Sequence, residues 1–305
     1  LRGDKKIPFN AYVKVGSRHV LYCRTGDSFE GERLERLKTK KIPRLYILER
    51  DESKYQDYIR KNIDEAYDLS SQKDLMTRIE IIQGHLQAIA EDIMETPEEV
   101  VYYNIGMESC IRFIEFIKKN MATLKILFNM KNEERSIGQH GVNVSGLAIA
   151  IAHQMGLAAS DPEKTQRLAL GCLIHDYGHQ FNDIDVGKPR DQMPKEDLSI
   201  YLSHPSEGIK TIRNINHFHS SIVNIILEHH EYIDGSGFPQ AYSERQIDPL
   251  TLIASTANSY DRYVSFEGLE PTKALKTMLI HCMGLHPLDA MKSMQTALKI
   301  SGTVD

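Results

Sequence analysis

A chain of 305 residues is long enough for two ordinary domains. With 41% hydrophobic residues, 26% charged residues and a net charge of -5, it reads as globular and excludes a bulk electrostatic grip on nucleic acid. No run approaches the roughly 18 apolar residues needed to span a bilayer, the charged start Leu1–Asn10 holds no signal-peptide core, and Cys23, Cys110, Cys172 and Cys282 form no CxxC. The expectation is a cytoplasmic protein with reduced thiols, no membrane insertion and no DNA partner.

Residues 1–65 read as a small α/β domain. Ala11–Val15 and His19–Arg24 alternate as strands around a Gly16-Ser17 hairpin turn. Asp27 and Glu30 are spaced as a capping box opening a short helix, and Arg44–Leu48 reads as a third strand. A regulatory or docking module and a plain packing domain both fit. Residues 66–130 read as linking helices, Ser71–Glu95 and Glu108–Asn129. In the second, Ile111, Ile114, Ile117, Met121, Leu124 and Phe128 form a stripe that suits core first and a dimer surface second.

Residues 131–305 read as helix after helix: Gly138–Gly156, Glu163–His175, Lys195–Asn214, His217–Tyr232, Pro249–Val264, Pro271–Met283 and Pro287–Ser301. The predicted architecture is mainly α, an all-helical domain behind a small α/β one.

Histidine is the anomaly, with nine of the 13 lying between His140 and His230. His175-Asp176 ends an apolar helix and delivers an imidazole and a carboxylate to one point. Adjacent helical side chains diverge by about 100°, so His175 can face one metal while Asp176 bridges toward a second. His229-His230 repeats the device after Ile222–Leu227. His204 precedes Pro205, and His140 opens the Val142–Ile151 helix. Mixed imidazole and carboxylate ligation suits iron, manganese, zinc or cobalt better than calcium or magnesium. His19, His85, His153, His217, His219, His281 and His286 have no partner motif.

The segment His229–Pro239 reads HHEYIDGSGFP. It resembles the HHE and DGSGYP loop of the HD-GYP family, cyclic-di-GMP phosphodiesterases within the HD superfamily. His-Asp followed by Gly178, then His204-Pro205, then this loop occur in the family order over about residues 135–265. The resemblance implies that His140, His175, Asp176, His204, His229 and His230 ligate two divalent metals, iron first and manganese second. It further implies cyclic-di-GMP or a related cyclic dinucleotide as ligand, and contacts of the loop with diguanylate cyclase domains. Asp176 and His179 are the catalytic candidates. His179, Gly235, Gly237, Phe238 and Pro239 are the substrate-binding candidates.

The chain departs from the family at several points. Phe238 replaces the signature tyrosine. His179 stands where the family has lysine, so a fixed positive charge near phosphate is replaced by a partly charged one. Asn258 stands where the family has a metal-binding aspartate, with Asp261 one turn further on. Ser136 takes the place of a glutamate found in three-metal members, which favours two metals. Phe181–Pro194 departs from the family's loop. An active phosphodiesterase and a catalytically weak or inactive sensor or docking protein that retains its metals are both consistent with these substitutions. A nucleotidase of another HD family would explain His-Asp but not the glycine-rich loop. The long helices between the domains suit a homodimer.

Overall fold

The computed structural model describes residues 5–305 apart from 41, 43, 44, 69, 131–135 and 189. The chain divides into two compact units, residues 1–72 and 73–305. As the periodicity predicts, the fold is mainly α, and the one sheet among the described residues has two strands.

In the first unit, β1 (Ala11–Val15) and β2 (Arg18–Cys23) pair antiparallel across the Gly16-Ser17 turn, where Gly16 has φ +60°. α1 spans Glu32–Thr39 and α2 spans Glu52–Tyr67. The core gathers Ile7, Phe9, Val13, Phe29 and Leu37, and the Phe9 ring meets Tyr55 and Tyr58 edge-on at 5.4 and 5.7 Å. The third strand does not form. Tyr46 alone pairs with Tyr12 as a single bridge, because the segment passes at once into the 3-10 turn Glu49–Asp51; Arg44 lies outside the described residues. The capping-box helix also starts later than expected. Between Gly26 and Gly31, both at positive φ, Ser28 bridges Lys6, and the helix begins only at Glu32.

The second unit runs from α3 (Leu75–Glu95) and α4 (Val100–Lys119) to α5 (Thr123–Asn129), α6 (Ile137–Gln154), α7 (Leu157–Ser160) and α8 (Pro162–Leu173). It continues with α9 (Lys195–Ile212), α10 (Ser220–Glu228), α11 (Pro249–Asp261), α12 (Pro271–His281) and α13 (Leu288–Ile300). The expected helix Glu108–Asn129 is broken at Asn120, which leaves helical geometry at φ -138° and caps the carbonyl of Phe116. Most of its stripe is core: Ile114, Ile117, Leu124 and Phe128 are buried, whereas Ile111 is exposed.

α6 is the central element, buried at every residue from His140 to Ala152. Apart from His140, Asn143 and Ser145 this stretch is apolar all round and rich in glycine and alanine, so helices pack close on every side. Local chemistry sets the ends of its neighbours. Asp161 caps α8 by accepting from the Lys164 amide, with Pro162 in the first turn. Asp248 and Pro249 open α11 in the same way.

His286 is 4% exposed, its ring stands edge-on to Tyr232 at 5.4 Å, and its Nε2 has no hydrogen-bond partner. Burial pushes its pKa down from 6.5 to about 4. The unfolded chain therefore takes up this proton more readily than the native one. The stabilisation is complete above pH 6.5 and is lost as pH falls toward 4, by at most about 3 kcal/mol. In urea unfolding from pH 7 to 4, the His286→Leu variant is expected to decline less steeply than the unsubstituted protein. Parallel curves would show that His286 does not contribute.

Candidate metal centre

The chain ends its helices where the cluster begins. α8 stops at Leu173, and Ile174 is non-helical at φ -117°. His175 and Asp176 thus lie in the turn after the helix rather than on it, which corrects the sequence expectation. α10 likewise stops at Glu228, leaving His229 and His230 in the following turn. His140 opens α6, His204 lies within α9, and Asn258 lies near the end of α11.

These positions supply backbone carbonyls without helical partners. His175 Nδ1 donates to the Cys172 carbonyl at 2.7 Å, and His229 Nδ1 donates to that of Ile226 at 3.0 Å. His204 reaches the same state inside a helix. Pro205 has no N–H to give the carbonyl four residues back, so the Tyr201 carbonyl is free to accept from His204 Nδ1 at 2.5 Å. A carbonyl only accepts, so in all three rings the proton sits on Nδ1 and Nε2 presents a lone pair. Burial pushes the His175 pKa down to about 3 and lowers those of His204 and His230, which keeps these imidazoles neutral.

The lone pairs converge on Asp176. His140 and His175 face its Oδ2 at 3.7 and 3.6 Å, and His204 and His229 both face its Oδ1 at 3.4 Å. Within each pair the Nε2 atoms lie close, 3.2 Å for His140 and His175 and 3.1 Å for His204 and His229. Facing lone pairs at that distance repel unless positive charge lies between them. Two overlapping groups could each hold a metal ion: His140, His175 and Asp176, and Asp176, His204, His229 and His230. A buried cluster of neutral imidazoles around a shared carboxylate is the donor set of a divalent metal site.

The two residues left open by the sequence separate here. Asp261 Oδ2 accepts from His140 Nδ1 at 2.6 Å and its Oδ1 accepts from Asn143 at 3.0 Å, so it stands behind His140. Asn258 Oδ1 lies 3.0 Å from His140 Nε2, on the side of the cluster. His179 is buried and stacks on the His204 ring at 3.9 Å. Burial pushes its pKa down to about 3, so it is neutral at pH 7 instead of partly charged.

The loop after His230 closes one side. The Phe238 ring stacks on His230 at 4.5 Å, and Pro239 beside it is half-buried. Glu231 is buried and its two oxygens accept from the Gln240 and Tyr242 amides at 2.6 and 2.9 Å, stapling the loop. A side chain on Gly237 would come within 2.5 Å of the Glu231 backbone, and Gly235 has φ +81°; both serve the turn. No motif marks Tyr201, whose hydroxyl lies 3.2 Å from His230 Nε2, or Arg190 and Arg262, which flank the Tyr201 ring. The one signal in the sequence is that Arg190 lies in the divergent segment Phe181–Pro194.

A family model described as the HD domain matches residues 119–282. The chain belongs to the HD-domain family. The HD-GYP resemblance agrees with one solved structure: Bd1817, an HDG"Y"P protein from Bdellovibrio bacteriovorus, is 44% identical, with a TM-score of 0.87 over 98% of this chain and 97% of that one. A cyclic di-GMP phosphodiesterase from Thermotoga maritima is 32% identical over 54% of this HD-domain chain and 44% of its own length. One from Pseudomonas aeruginosa is 24% identical over 56% of this chain and 45% of its own. A 3'3'-cGAMP-specific phosphodiesterase from Vibrio cholerae is 25% identical over 56% of this chain and 36% of its own. The chain thus spans between about a third and a half of the length of these curated relatives.

The shared carboxylate and a single imidazole should differ in their effect on metal content. Asp176→Ala is expected to lose metal from both groups, whereas His230→Ala loses it from one. Metal per chain, measured by elemental analysis after reconstitution, distinguishes them; equal loss in the two variants contradicts an Asp176 shared by the two groups.

Proposed function

We propose that this HD-domain protein hydrolyses cyclic-di-GMP, or a related cyclic dinucleotide, at a binuclear centre held by His140, His175, Asp176, His204, His229, His230 and Asn258. The observation that carries this reading is the division of Asp176, one oxygen toward each pair of imidazoles. Metals bound by these residues would supply a water of lowered pKa and would take up charge on the phosphoryl oxygens. The chain's own residues do the rest. The Nδ1 hydrogen bonds of His140, His175, His204 and His229 aim their Nε2 atoms at Asp176. Asp176 orients the nucleophile, and Asp261 fixes the tautomer and ring of His140. Phe238 and His179 stack on His230 and His204 and exclude water from two sides. Water adds at phosphorus, the phosphorus–O3′ bond breaks, and the leaving oxygen takes the proton to give the linear dinucleotide. Iron is the metal we favour, with manganese second.

A second reading is a metal-loaded sensor or docking protein that does not turn over. It is favoured by His179, which is neutral where the family has lysine, and by Asn258, which brings no charge. On either reading we place the chain in the cytoplasm, with residues 1–65 as the input domain, 66–130 as linking helices and 131–305 as the effector. We further propose a homodimer supported by Val101, Ile105 and Ile111, all exposed on α4, and a diguanylate cyclase contact at the loop carrying Asp234 and Ser236, both exposed.

Anaerobic protein reconstituted with Fe(II) or Mn(II) is expected to convert cyclic-di-GMP to linear dinucleotide or GMP, and Asp176→Ala is expected to lose at least about a hundredfold in rate. Full metal loading with no product moves the function to the sensor reading.

Asp261 is expected to act by positioning. Asp261→Asn should weaken metal affinity about tenfold or more and leave the melting temperature within a few degrees. Unchanged affinity in a metal competition titration argues against this role.

A further inference from the structure

We infer that Arg190 and Arg262 form a paired-guanidinium subsite for phosphoryl oxygens of the ligand, in the cavity beside the metal cluster. This rests on the phosphodiester reading above and names a residue pair that no motif marks.

The cavity holds about 350 Å³, and its lining includes Lys188, Arg190, Tyr232, Ser259, Arg262 and Glu267. It shares its wall with the cluster. Ser259 follows Asn258 in the chain, and Phe266, also in the lining, packs its ring on His140 at 4.7 Å. Arg262 opens the π-helical segment Arg262–Phe266 that continues α11, so its position is tied to the helix carrying Asn258. Arg190 begins the short 3-10 turn Arg190–Gln192 ahead of α9, the helix of His204.

The two guanidiniums converge on one ring. Arg190 Cζ is 5.5 Å and Arg262 Cζ is 5.2 Å from the centroid of Tyr201, whose hydroxyl meets His230. Arg190 also lies 5.2 Å from the Phe238 ring, and Arg262 lies 5.3 Å from that of Phe266. Aromatic faces orient a guanidinium without neutralising it. Asp191 and Glu267 line the same cavity, and Glu267 feels the charge of Arg262 at longer range, but among the described residues no ion pair within 4 Å joins either acid to either arginine. Two like charges are therefore gathered, oriented and left without a paired anion, next to a cluster suited to a phosphodiester. A phosphoryl group resolves this arrangement, because its oxygens accept from planar forks two at a time.

Calorimetric titration of the metal-loaded protein with inorganic phosphate, and separately with cyclic-di-GMP, tests the subsite. Arg190→Gln and Arg262→Gln are each expected to weaken phosphate binding about tenfold or more, with metal content and melting temperature unchanged. Arg262→Lys keeps the charge and loses the fork, and is expected to fall between. Phosphate affinity that is undetectable, or unchanged in the glutamine variants, overturns the subsite. Should a glutamine variant lose metal, Arg190→Lys and Arg262→Lys decide: several-fold weaker phosphate binding supports the subsite and unchanged binding rejects it. Arginine-dependent phosphate binding with no response to cyclic-di-GMP leaves the subsite standing and removes the cyclic-dinucleotide reading instead.

Discussion

Imidazole nitrogens 3.1 to 3.2 Å apart, with lone pairs facing, set the constraint on which the rest of the second unit depends. In water such rings would turn away from each other or take up protons. Here burial opposes a proton on His175 and His204, and backbone carbonyls hold three of the rings with Asp261 behind the fourth. Asp176 adds one negative charge at the centre and no positive one. Divalent cations balance that arrangement, so the buried polar cluster is intelligible as a metal site and costly as anything else.

The scaffold achieves this by ending helices early. α8 and α10 each stop just before their histidines, and the carbonyls thus released become the acceptors that fix each tautomer. Pro205 produces the same release within α9. Close backbone approach then draws the turns together. A side chain on Gly178 would fall 1.9 Å from the His204 carbonyl oxygen, so the turn after Asp176 packs on α9 only with glycine there. The fully buried α6 carries His140 into the same volume, with Asp261 of α11 behind it.

Around this centre the chain has a different distribution of charge from the one its motif suggests. His179 occupies the sequence position of a cation but stacks, neutral, on His204. The cations stand instead on Arg190 and Arg262, reached from the segment before α9 and the one after α11. Phe238 keeps the ring of the family's tyrosine and uses it as a lid on His230 and a platform for Arg190.

Much of this was legible in the amino-acid order. Helical periodicity placed α3, α6, α9, α11, α12 and α13 to within a few residues, because each buries one stripe or all of its surface. The pairs His175-Asp176 and His229-His230, with His140 and His204-Pro205, marked residues that the fold gathers into one buried cluster, since these residue types keep their chemistry in any setting. Three things were not legible. The break at Asn120 and the single bridge at Tyr46 depend on what packs against them. The separate roles of Asn258 and Asp261 depend on which side of His140 each one meets, 3.0 Å from Nε2 or 2.6 Å from Nδ1. Arg190 and Arg262, 72 positions apart in the order of residues, meet on the face of Tyr201. Sequence alone determined which imidazoles and carboxylates this protein has to gather. Only the tertiary structure decided which nitrogen faces inward, which acid stands behind and where the positive charge gathers, because those follow from distances between residues remote in the chain.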